Sequence, residues 1–209
     1  VAAEADATAA VEMAKTVFNE WATADTALLI EAMGQLANLV GQFGRTHGLT
    51  VVACASNGVS AADAIDAALF ETGRPVLIAP ACDVVSIGRR IAIFWNDSPQ
   101  AAGAVRGALP FLREADHINA FAVAEDFDAE ASLDRLVQGL ARAGVQAHPI
   151  PIRSDDRDAS FQLRDAASEM DADLIVMGAF TRSRLRELVL GGVTRETLAA
   201  VSHPTFLAH

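Results

Sequence analysis

The sequence predicts an α/β fold, a doubly wound parallel sheet of five strands, in two tandem copies of which the first is incomplete. Three observations favour this fold. Short apolar runs alternate with helical patterns through the second half of the 209 residues. One of these runs, residues 174–177, is continuously apolar, which is typical of a central parallel strand. The end of the pattern also recurs in the first half, and a repeat of this length indicates two domains of one fold.

The elements of the second half can be assigned in order along the chain. A helix-start cluster at 96–99 follows the first strand, Gly144 closes the second helix, and prolines in the third strand indicate a sheet edge. A polar loop and a fourth helix, opened by a glycine pair, separate the last two strands. The predicted strands are 90–95, 117–123, 145–151, 174–177 and 204–208, and the first three helices are 99–114, 129–143 and about 158–170.

The first half repeats the end of this pattern. Residues 48–56 align with 173–181, and residues 69–79 align with 198–208 with the same six-residue step from Leu to Pro. This alignment predicts a degenerate first domain at 1–86 and a complete second domain at 87–209. The first strand, first helix and second strand have no counterpart in the first copy, so we expect that residues of the first domain are missing from this chain.

Composition bounds the partners and the compartment. The formal net charge of −11 argues against nucleic acid, whose phosphates are bound by clustered Lys and Arg. No apolar run approaches the roughly 20 residues that a membrane span requires, so no membrane partner is predicted. Cys54 and Cys82 form neither a disulfide framework nor a metal knuckle, and we interpret them as core residues in a reducing cytoplasm.

The loop after residues 174–177 carries the clearest chemical signal. A glycine ends the strand and a glycine pair opens the next helix, an order that places backbone N–H groups and a helix dipole near an anion. Arg182, Arg184 and Arg186 could reach phosphates, but a solvated face that pairs with Glu187 and Glu196 is the favoured interpretation. Metal-ligand spacing, a nucleophile elbow and a lysine-bearing phosphate loop are all lacking. The sequence therefore predicts no catalytic residue, no metal site and no enzyme.

These residues resemble the universal stress protein family in its tandem form. The family hallmark is a glycine, two residues, a glycine, nine residues and then Gly-Ser or Gly-Thr; the corresponding positions here are Gly178, Thr181, Gly191 and Gly192. The resemblance extends to residues 94–98 and to the closing strand; it covers 88–209 and, more weakly, 1–80. It implies a Rossmann-like sheet with strand order 3-2-1-4-5, an adenine nucleotide such as ATP as cofactor, and pairing through the fifth strands. It does not imply an enzyme.

The resemblance also implies the residues of a nucleotide site, and this chain departs from the family pattern at several of them. Thr181 replaces the second glycine, Gly192 replaces a hydroxyl residue, and Asn96 replaces an aspartate. Asp97 puts a negative charge where the family has glycine. In the first copy Ala53 and a shortened loop replace the signal, so binding of the family kind is not expected there. The candidate residues are Asn96, Asp97, Ser98, Met177, Gly178, Thr181, Arg182, Gly191, Gly192, Val193 and Thr194.

Three functions remain open from the sequence. The first is a non-enzymatic cytoplasmic stress-response protein whose second domain binds an adenine nucleotide, or a related small anion, weakly. The second is a structural or dimerisation module that binds no nucleotide, and the third is a weak ATP hydrolase. The resemblance also leads us to expect pairing of the protein with itself, between domains or as a homodimer, through the edge strands 75–79 and 204–208.

Overall fold

A computed structural model describes residues 27–31, 37–53, 59–80, 86–124, 128–153, 158–179 and 203–209. Contacts divide the chain into two compact units, Val1–Ile87 together with Val201–His209, and Gly88–Ala200. The predicted domains, 1–86 and 87–209, assign the last strand to the second domain instead, and as domains they stay a prediction. None of the described helices is both long and apolar enough to cross a membrane.

Strands and helices alternate along most of the described chain. The predicted strands of both halves are present, with ends that differ from the prediction by at most three residues. In chain order the elements are β1 (Ala27–Glu31), α1 (Ala37–Gly44), β2 (Leu49–Ala53), α2 (Val59–Glu71), β3 (Val76–Ala79), β4 (Arg90–Phe94), α3 (Pro99–Gly107), α4 (Leu109–Glu114), β5 (His117–Ala124), α5 (Ala129–Arg142), β6 (His148–Arg153), α6 (Ala159–Glu169), β7 (Leu174–Gly178) and β8 (Thr205–Ala208).

In the first unit, β1, β2 and β3 form a parallel sheet in which each strand pairs with the next along the chain. The strand β8 adds to β3 in antiparallel orientation, with Val76 opposite Leu207 and Ile78 opposite Thr205. The four side chains of β3 are at most 1% exposed, and Phe206 of β8 is equally buried. The two segments predicted to pair therefore lie together within this unit, while pairing between copies of the protein stays a prediction.

In the second unit all four strands are parallel, in the order β7-β4-β5-β6. The chain passes from β4 through β5 to β6 in one direction and then returns to form β7 on the other side of β4. This arrangement confirms the predicted α/β fold, and it corresponds to the first four positions of the order 3-2-1-4-5. For right-handed crossovers, the reversal puts α3, α4 and α5 on one face of the sheet and α6 on the other.

The two central strands of the second unit are buried on both faces. Ile91, Ile93, Leu174 and Ile175 are at most 2% exposed. Burial of such a side chain stabilises the fold by roughly 1.5–3 kcal/mol. The helix α3 packs on β7, and α5 packs on β5 and β6. The exits of β4 and β7 therefore follow strands that are fixed by buried side chains.

Acidic residues begin α5 and α6, the last two helices in the described part of the second unit. Asp128 Oδ1 accepts a hydrogen bond from the Ala131 N–H at 3.0 Å, and Asp158 Oδ1 accepts one from the Ser160 N–H at 2.7 Å. Hydrogen bonds from the Ser160 side chain and backbone hold the pKa of Asp158 below its ordinary 3.8, and the nearby Arg164 charge adds to this effect. These caps satisfy backbone donors that the helix cannot pair internally.

Two sequence signals for ends and edges are confirmed. Gly144 follows α5 with a φ of 79°, the left-handed conformation that ends a helix and that glycine adopts without strain. The strand β6 lies at the edge of the parallel sheet, and its alternate residues Pro149 and Pro151 are exposed. Because proline lacks an N–H, it is tolerated at an edge and discourages a further strand from pairing there.

Two features differ from the sequence prediction. The helix predicted over 99–114 is divided into α3 and α4, because Pro110 lies in the first turn of α4 and has no N–H with which to continue α3. The elements β1 and α1 were not assigned from the sequence, and β1 pairs directly with β2. Both Cys54 and Cys82 lie outside the described residues.

Candidate functional site

The carboxyl ends of β4 and β7 lie side by side at the point where the strand order reverses. Phe94 and Met177 are partners in the last pair of this ladder, so the chain leaves both strands at the same edge of the sheet. In open α/β sheets, ligands bind in the crevice outside the carboxyl ends at such a reversal. The β4/β7 crevice, defined by residues 96–98 after β4 and by Gly178 at the end of β7, therefore brings predicted site residues together.

Ser98 begins α3 as its N-cap. The backbone of Ser98 is extended, with φ −90° and ψ 155°, and its Oγ accepts a hydrogen bond from the Ala101 N–H at 3.1 Å. The Ala102 N–H binds the Ser98 carbonyl at 3.0 Å, and Pro99 has no N–H to offer. Most backbone donors of the first turn are therefore already paired or absent, which leaves few of them for a bound anion.

Asn96 supports this cap from the end of β4. Its Oδ1 accepts a hydrogen bond from the Ser98 hydroxyl at 2.7 Å and a second from the Ser98 N–H at 3.3 Å. A carbonyl oxygen has two lone pairs, so both acceptor positions of Oδ1 are occupied. Asn96 itself is exposed, and the two N–H donors of its Nδ2 remain to meet a ligand or water.

Asp97 adopts a left-handed backbone, with a φ of 56°. Glycine adopts this conformation without strain, and Asp and Asn are among the few other residues that tolerate it. The Asp97 Oδ2 pairs with the Arg135 guanidinium at 3.0 Å, and the two side chains are 45% and 63% exposed. An ion pair this exposed stabilises by at most about 1 kcal/mol. The backbone at Asp97 thus explains why a glycine suits this position, and Arg135 partly neutralises the added charge.

A buried hydrogen bond fixes the helix that carries Arg135. The Trp95 Nε1–H donates to the Ser132 Oγ at 2.8 Å; Trp95 is 9% exposed and Ser132 is fully buried. Ser132 and Arg135 are three residues apart and therefore lie on the same side of α5. The sequence reasoning missed both residues as part of the site. A serine within the apolar stripe of α5 was a signal for Ser132, whereas no sequence signal links Arg135 to Asp97.

Gly178 is close-packed against the first turn of α3. A Cβ at this position would lie 2.5 Å from the Ala101 backbone nitrogen and 2.8 Å from the Gln100 carbonyl carbon. Backbone atoms cannot move aside as a flexible side chain can, so any side chain at 178 would push α3 away from β7. The glycine is thus required by helix–strand packing, in addition to any role in holding a ligand.

The remaining predicted residues cannot be placed. Six of them lie outside the described residues: Thr181, Arg182, Gly191, Gly192, Val193 and Thr194. Within the described ranges, His, Cys, Asp and Glu side chains form no group of three or more that could hold a metal ion. The described part of the crevice therefore consists of Asn96 donors, the Asp97–Arg135 pair and a tightly packed strand–helix junction, with Met177 beneath it at 4% exposure.

Comparison with known proteins identifies the family of this fold. The model of the universal stress protein family matches residues 89–209. A universal stress protein from Archaeoglobus fulgidus DSM 4304 superposes with a TM-score of 0.66 and 18% identity; the match covers 82% of this chain and 66% of that one. A functionally unknown protein from Pseudomonas aeruginosa PAO1 gives a TM-score of 0.55 at 14% identity, with the same two coverages.

A shorter relative matches in a different way. The universal stress protein UspA from Lactobacillus plantarum has a TM-score of 0.50 and 14% identity, and the match covers 59% of this chain but 99% of that one. The chain thus spans just under two thirds of the two longer structures and nearly all of the shorter one. A search of the curated proteins found no match. Because the family model matches more than half of its residues, the chain belongs to the universal stress protein family.

Proposed function

We propose that the chain is a non-enzymatic, cytoplasmic stress-response protein whose second unit binds an adenine nucleotide, or a related small anion, at the β4/β7 crevice. The observation that carries this proposal is the junction at the strand reversal, where the Ser98-capped start of α3 packs against Gly178. Such a junction keeps polar groups at a fixed place outside the carboxyl ends of two buried strands. Membership of the family supports the stress-response part of the proposal.

We also propose that the two halves of the chain, 1–86 and 87–209, derive from tandem copies of one domain. The two longer structures support this idea, since each matches 82% of the chain although the family model matches only residues 89–209. Both matches cover 66% of the longer chain. These relatives are under 25% identical, so they support a shared fold and not a shared ligand.

Calorimetric titration of the whole chain with Mg·ATP tests the nucleotide part. We expect micromolar to low-millimolar affinity, and Asn96→Ala should weaken it about 3- to 10-fold, the effect of one lost hydrogen bond. The matched control is Gln146→Ala, an exposed amide before β6 at the opposite edge of the sheet, which should leave the affinity unchanged. No heat and no thermal shift at millimolar ATP would reject nucleotide binding.

The variant Gly178→Val is unsuitable as a binding test. Its side chain would collide with the backbone of α3, so a loss of binding would report loss of structure and not loss of a ligand contact. Asn96→Ala is the better choice because its side chain is exposed and its removal adds no atoms. It also removes two hydrogen bonds to Ser98, so the melting temperature of the variant is measured with its affinity.

The alternative is a structural module without a nucleotide, and two observations favour it. Each described site residue also has a structural task, since Ser98 and Asn96 cap α3 and Gly178 permits close packing. In addition, the antiparallel ladder of β3 with β8 offers a pairing mode that needs no ligand. Light scattering distinguishes association between chains from pairing within one chain. A concentration-dependent dimer supports association between chains. A monomer at high concentration leaves only the pairing within the chain.

The non-enzymatic part of the proposal has its own test. Hydrolysis requires an activated water, and Asp97, the ionisable candidate residue in the described part of the crevice, is paired with Arg135. We expect no phosphate release above background when the protein is incubated with Mg·ATP. Release that rises in proportion to protein concentration, and survives repurification, would overturn this expectation.

A further inference from the structure

We propose that Gln100 is a binding residue of the β4/β7 crevice, where its backbone N–H and its side-chain amide hold a phosphate group at the start of α3. This role rests on the proposed function, which places a nucleotide or a related small anion in the same crevice. The sequence did not indicate Gln100 as a site residue. Two independent features assign it, an unpaired N–H at a helix N-terminus and a buried amide without a partner.

The Gln100 N–H is the backbone donor that remains in the first turn of α3. Ser98 accepts from the Ala101 N–H through its Oγ and from the Ala102 N–H through its carbonyl oxygen. Pro99 has no N–H. Among the described contacts of this turn, the Gln100 N–H has no partner. It lies at the positive end of the helix dipole, where an anion is favoured.

The backbone of Gln100 lies directly against the end of β7. A Cβ at Gly178 would be 2.8 Å from the Gln100 carbonyl carbon and 2.5 Å from the Ala101 nitrogen. The helix α3 also starts only a few residues after β4, so its first turn lies at the exits of both strands. A ligand bound to the Gln100 N–H would therefore lie in the β4/β7 crevice.

The side chain of Gln100 is a buried polar group without a partner. Gln100 is 8% exposed, and in the described part of the chain its amide takes part in no hydrogen bond. It belongs to the face of α3 that packs on the sheet, with Ala101, Ala104 and Val105. Helical side chains tilt towards the helix N-terminus, so an amide on this face of the first turn extends to the strand exits. The side chain is therefore aimed into the crevice.

An unpaired amide at this place lowers the stability of the free protein. Removing an amide from water without giving it a hydrogen bond costs free energy, and native proteins pair nearly all such groups. Ser132 of the same unit follows that rule, since it is fully buried and paired with Trp95. An apolar side chain of the same length would fill the place of Gln100 at a lower cost. Packing alone thus does not explain a glutamine here, whereas a bound acceptor would supply the missing partner.

A phosphate group fits these donors. Its ionised oxygens accept hydrogen bonds, and Gln100 offers its backbone N–H and the two hydrogens of Nε2. The side-chain amide alone can donate or accept, so the backbone N–H and the helix dipole decide in favour of an anion. The charge of Asp97 opposes an anion at this end of α3, and its ion pair with Arg135 at 3.0 Å offsets that charge.

Calorimetric titration of the full chain with inorganic phosphate and with Mg·ATP tests this role in the wild type and in Gln100→Met. Methionine has a similar length and helix propensity but no amide. We expect Gln100→Met to weaken binding about 3- to 10-fold, the effect of one lost hydrogen bond, and to raise the melting temperature, because an unpaired amide is removed from the interior. The matched control Gln138→Met, at an exposed position of α5, should change neither quantity.

A second measurement needs no variant. In the ¹⁵N-labelled wild type, the backbone and side-chain amide signals of Gln100 should both shift on saturation with the ligand, whereas the Gln138 side-chain signals should not. Binding that leaves both Gln100 signals unmoved would overturn the role of Gln100.

The two titrations distinguish a free anion from a nucleotide as the source of the phosphate group. Binding of inorganic phosphate alone, weakened in Gln100→Met, supports the role of Gln100 and rejects a nucleotide as the ligand. Binding of ATP with the same dependence supports a nucleotide phosphate at Gln100.

Other outcomes would overturn the role of Gln100. ATP binding that is unchanged in Gln100→Met would do so while leaving the proposed function intact. A lower melting temperature of Gln100→Met would do so by showing that the glutamine serves the fold. If neither ligand binds the wild-type chain, the proposed function fails and the role of Gln100 fails with it.

Discussion

The sequence aligns β2 and β7 as counterparts. Their side chains are equally buried, but the two strands pair with different neighbours. Val51 and Val52 of β2 are fully buried, as are Leu174 and Val176 of β7. However, β2 pairs with β1, the strand that immediately precedes it in the chain. By contrast, β7 pairs with β4, while the preceding strand β6 lies at the far edge of the sheet.

This difference shows that the order of strands, and not their composition, creates the candidate site. In the second unit the chain reverses direction between β6 and β7, so the carboxyl ends of β4 and β7 lie side by side at the reversal, where open α/β sheets bind ligands. In the described part of the first unit, β1, β2 and β3 follow one another without a reversal. The first unit therefore lacks, among its described parallel strands, the geometry that would bind a ligand in this way.

The largest expected effect is that of Gly178→Val. The new side chain would displace α3 from β7, and overpacking of this kind destabilises by about 3 kcal/mol. Hydrogen exchange should quicken at the amides of β4 and β7 and stay unchanged at those of β2 and β3.

The matched control for this variant is Gly139→Ala. A Cβ at Gly139, within α5, would meet no atom within 4 Å, so this change should stabilise by up to about 1 kcal/mol. Equal destabilisation by both variants would contradict the close packing of Gly178.

The next effect is that of the hydrogen bond between Trp95 and Ser132. Trp95→Phe leaves the Ser132 hydroxyl buried without its partner, which costs about 2 kcal/mol. The double variant with Ser132→Ala removes both polar groups and should recover part of that loss. Chemical denaturation of all three proteins measures the coupling, and strict additivity of the two single changes would show that this bond does not hold α5 to β4.

A smaller effect is expected for the cap of α3. Ser98→Ala removes the acceptor for the Ala101 N–H and should lower the free energy of unfolding by about 1 kcal/mol. Ser98→Thr keeps the hydroxyl and should cost less. If alanine and threonine destabilise equally, steric fit and not capping explains Ser98.

The smallest effect is the dependence of stability on pH. The two units are expected to lose stability in different pH ranges. Burial lowers the pKa of His203, in the first unit, below its ordinary 6.5. The unfolded chain therefore binds more protons than the folded one, and stability falls as pH decreases from 6.5 towards the folded pKa. The lowered pKa of Asp158, in the second unit, acts only as pH falls below 3.8.

Thermal melting at pH 7 and pH 5 measures the His203 effect. The wild-type protein should lose stability between these values, and His203→Gln should lose less. An identical loss in both proteins would show that His203 does not contribute to the acid sensitivity of the first unit.

The sequence predicted the helices and strands well where the signal comes from residues that are neighbours in the chain. The apolar run of β7, the prolines of β6 and the glycine after α5 each depend on nearby residues, and each is confirmed. Contacts between distant residues could not be predicted. The pairing of Asp97 with Arg135 depends on how α5 lies on the sheet, and the need for glycine at 178 depends on the approach of α3.

The order of strands in the first unit was also beyond the sequence. Apolar runs predict strands but not neighbours, and nothing in residues 27–31 indicates that they pair with β2. The division of the 99–114 helix was visible in principle, since Pro110 is a local signal that the periodicity of the surrounding residues outweighed.

Titration of the ¹⁵N-labelled chain with Mg·ATP, followed by amide chemical shifts, tests the central claim most directly, namely that a ligand binds at the strand reversal of the second unit. We predict saturable shifts at residues 96–98 and 177–178, and none at 50–53 or 76–79. Shifts confined to the ends of β2 and β3, or saturable binding that leaves residues 96–98 unmoved, would contradict the claim.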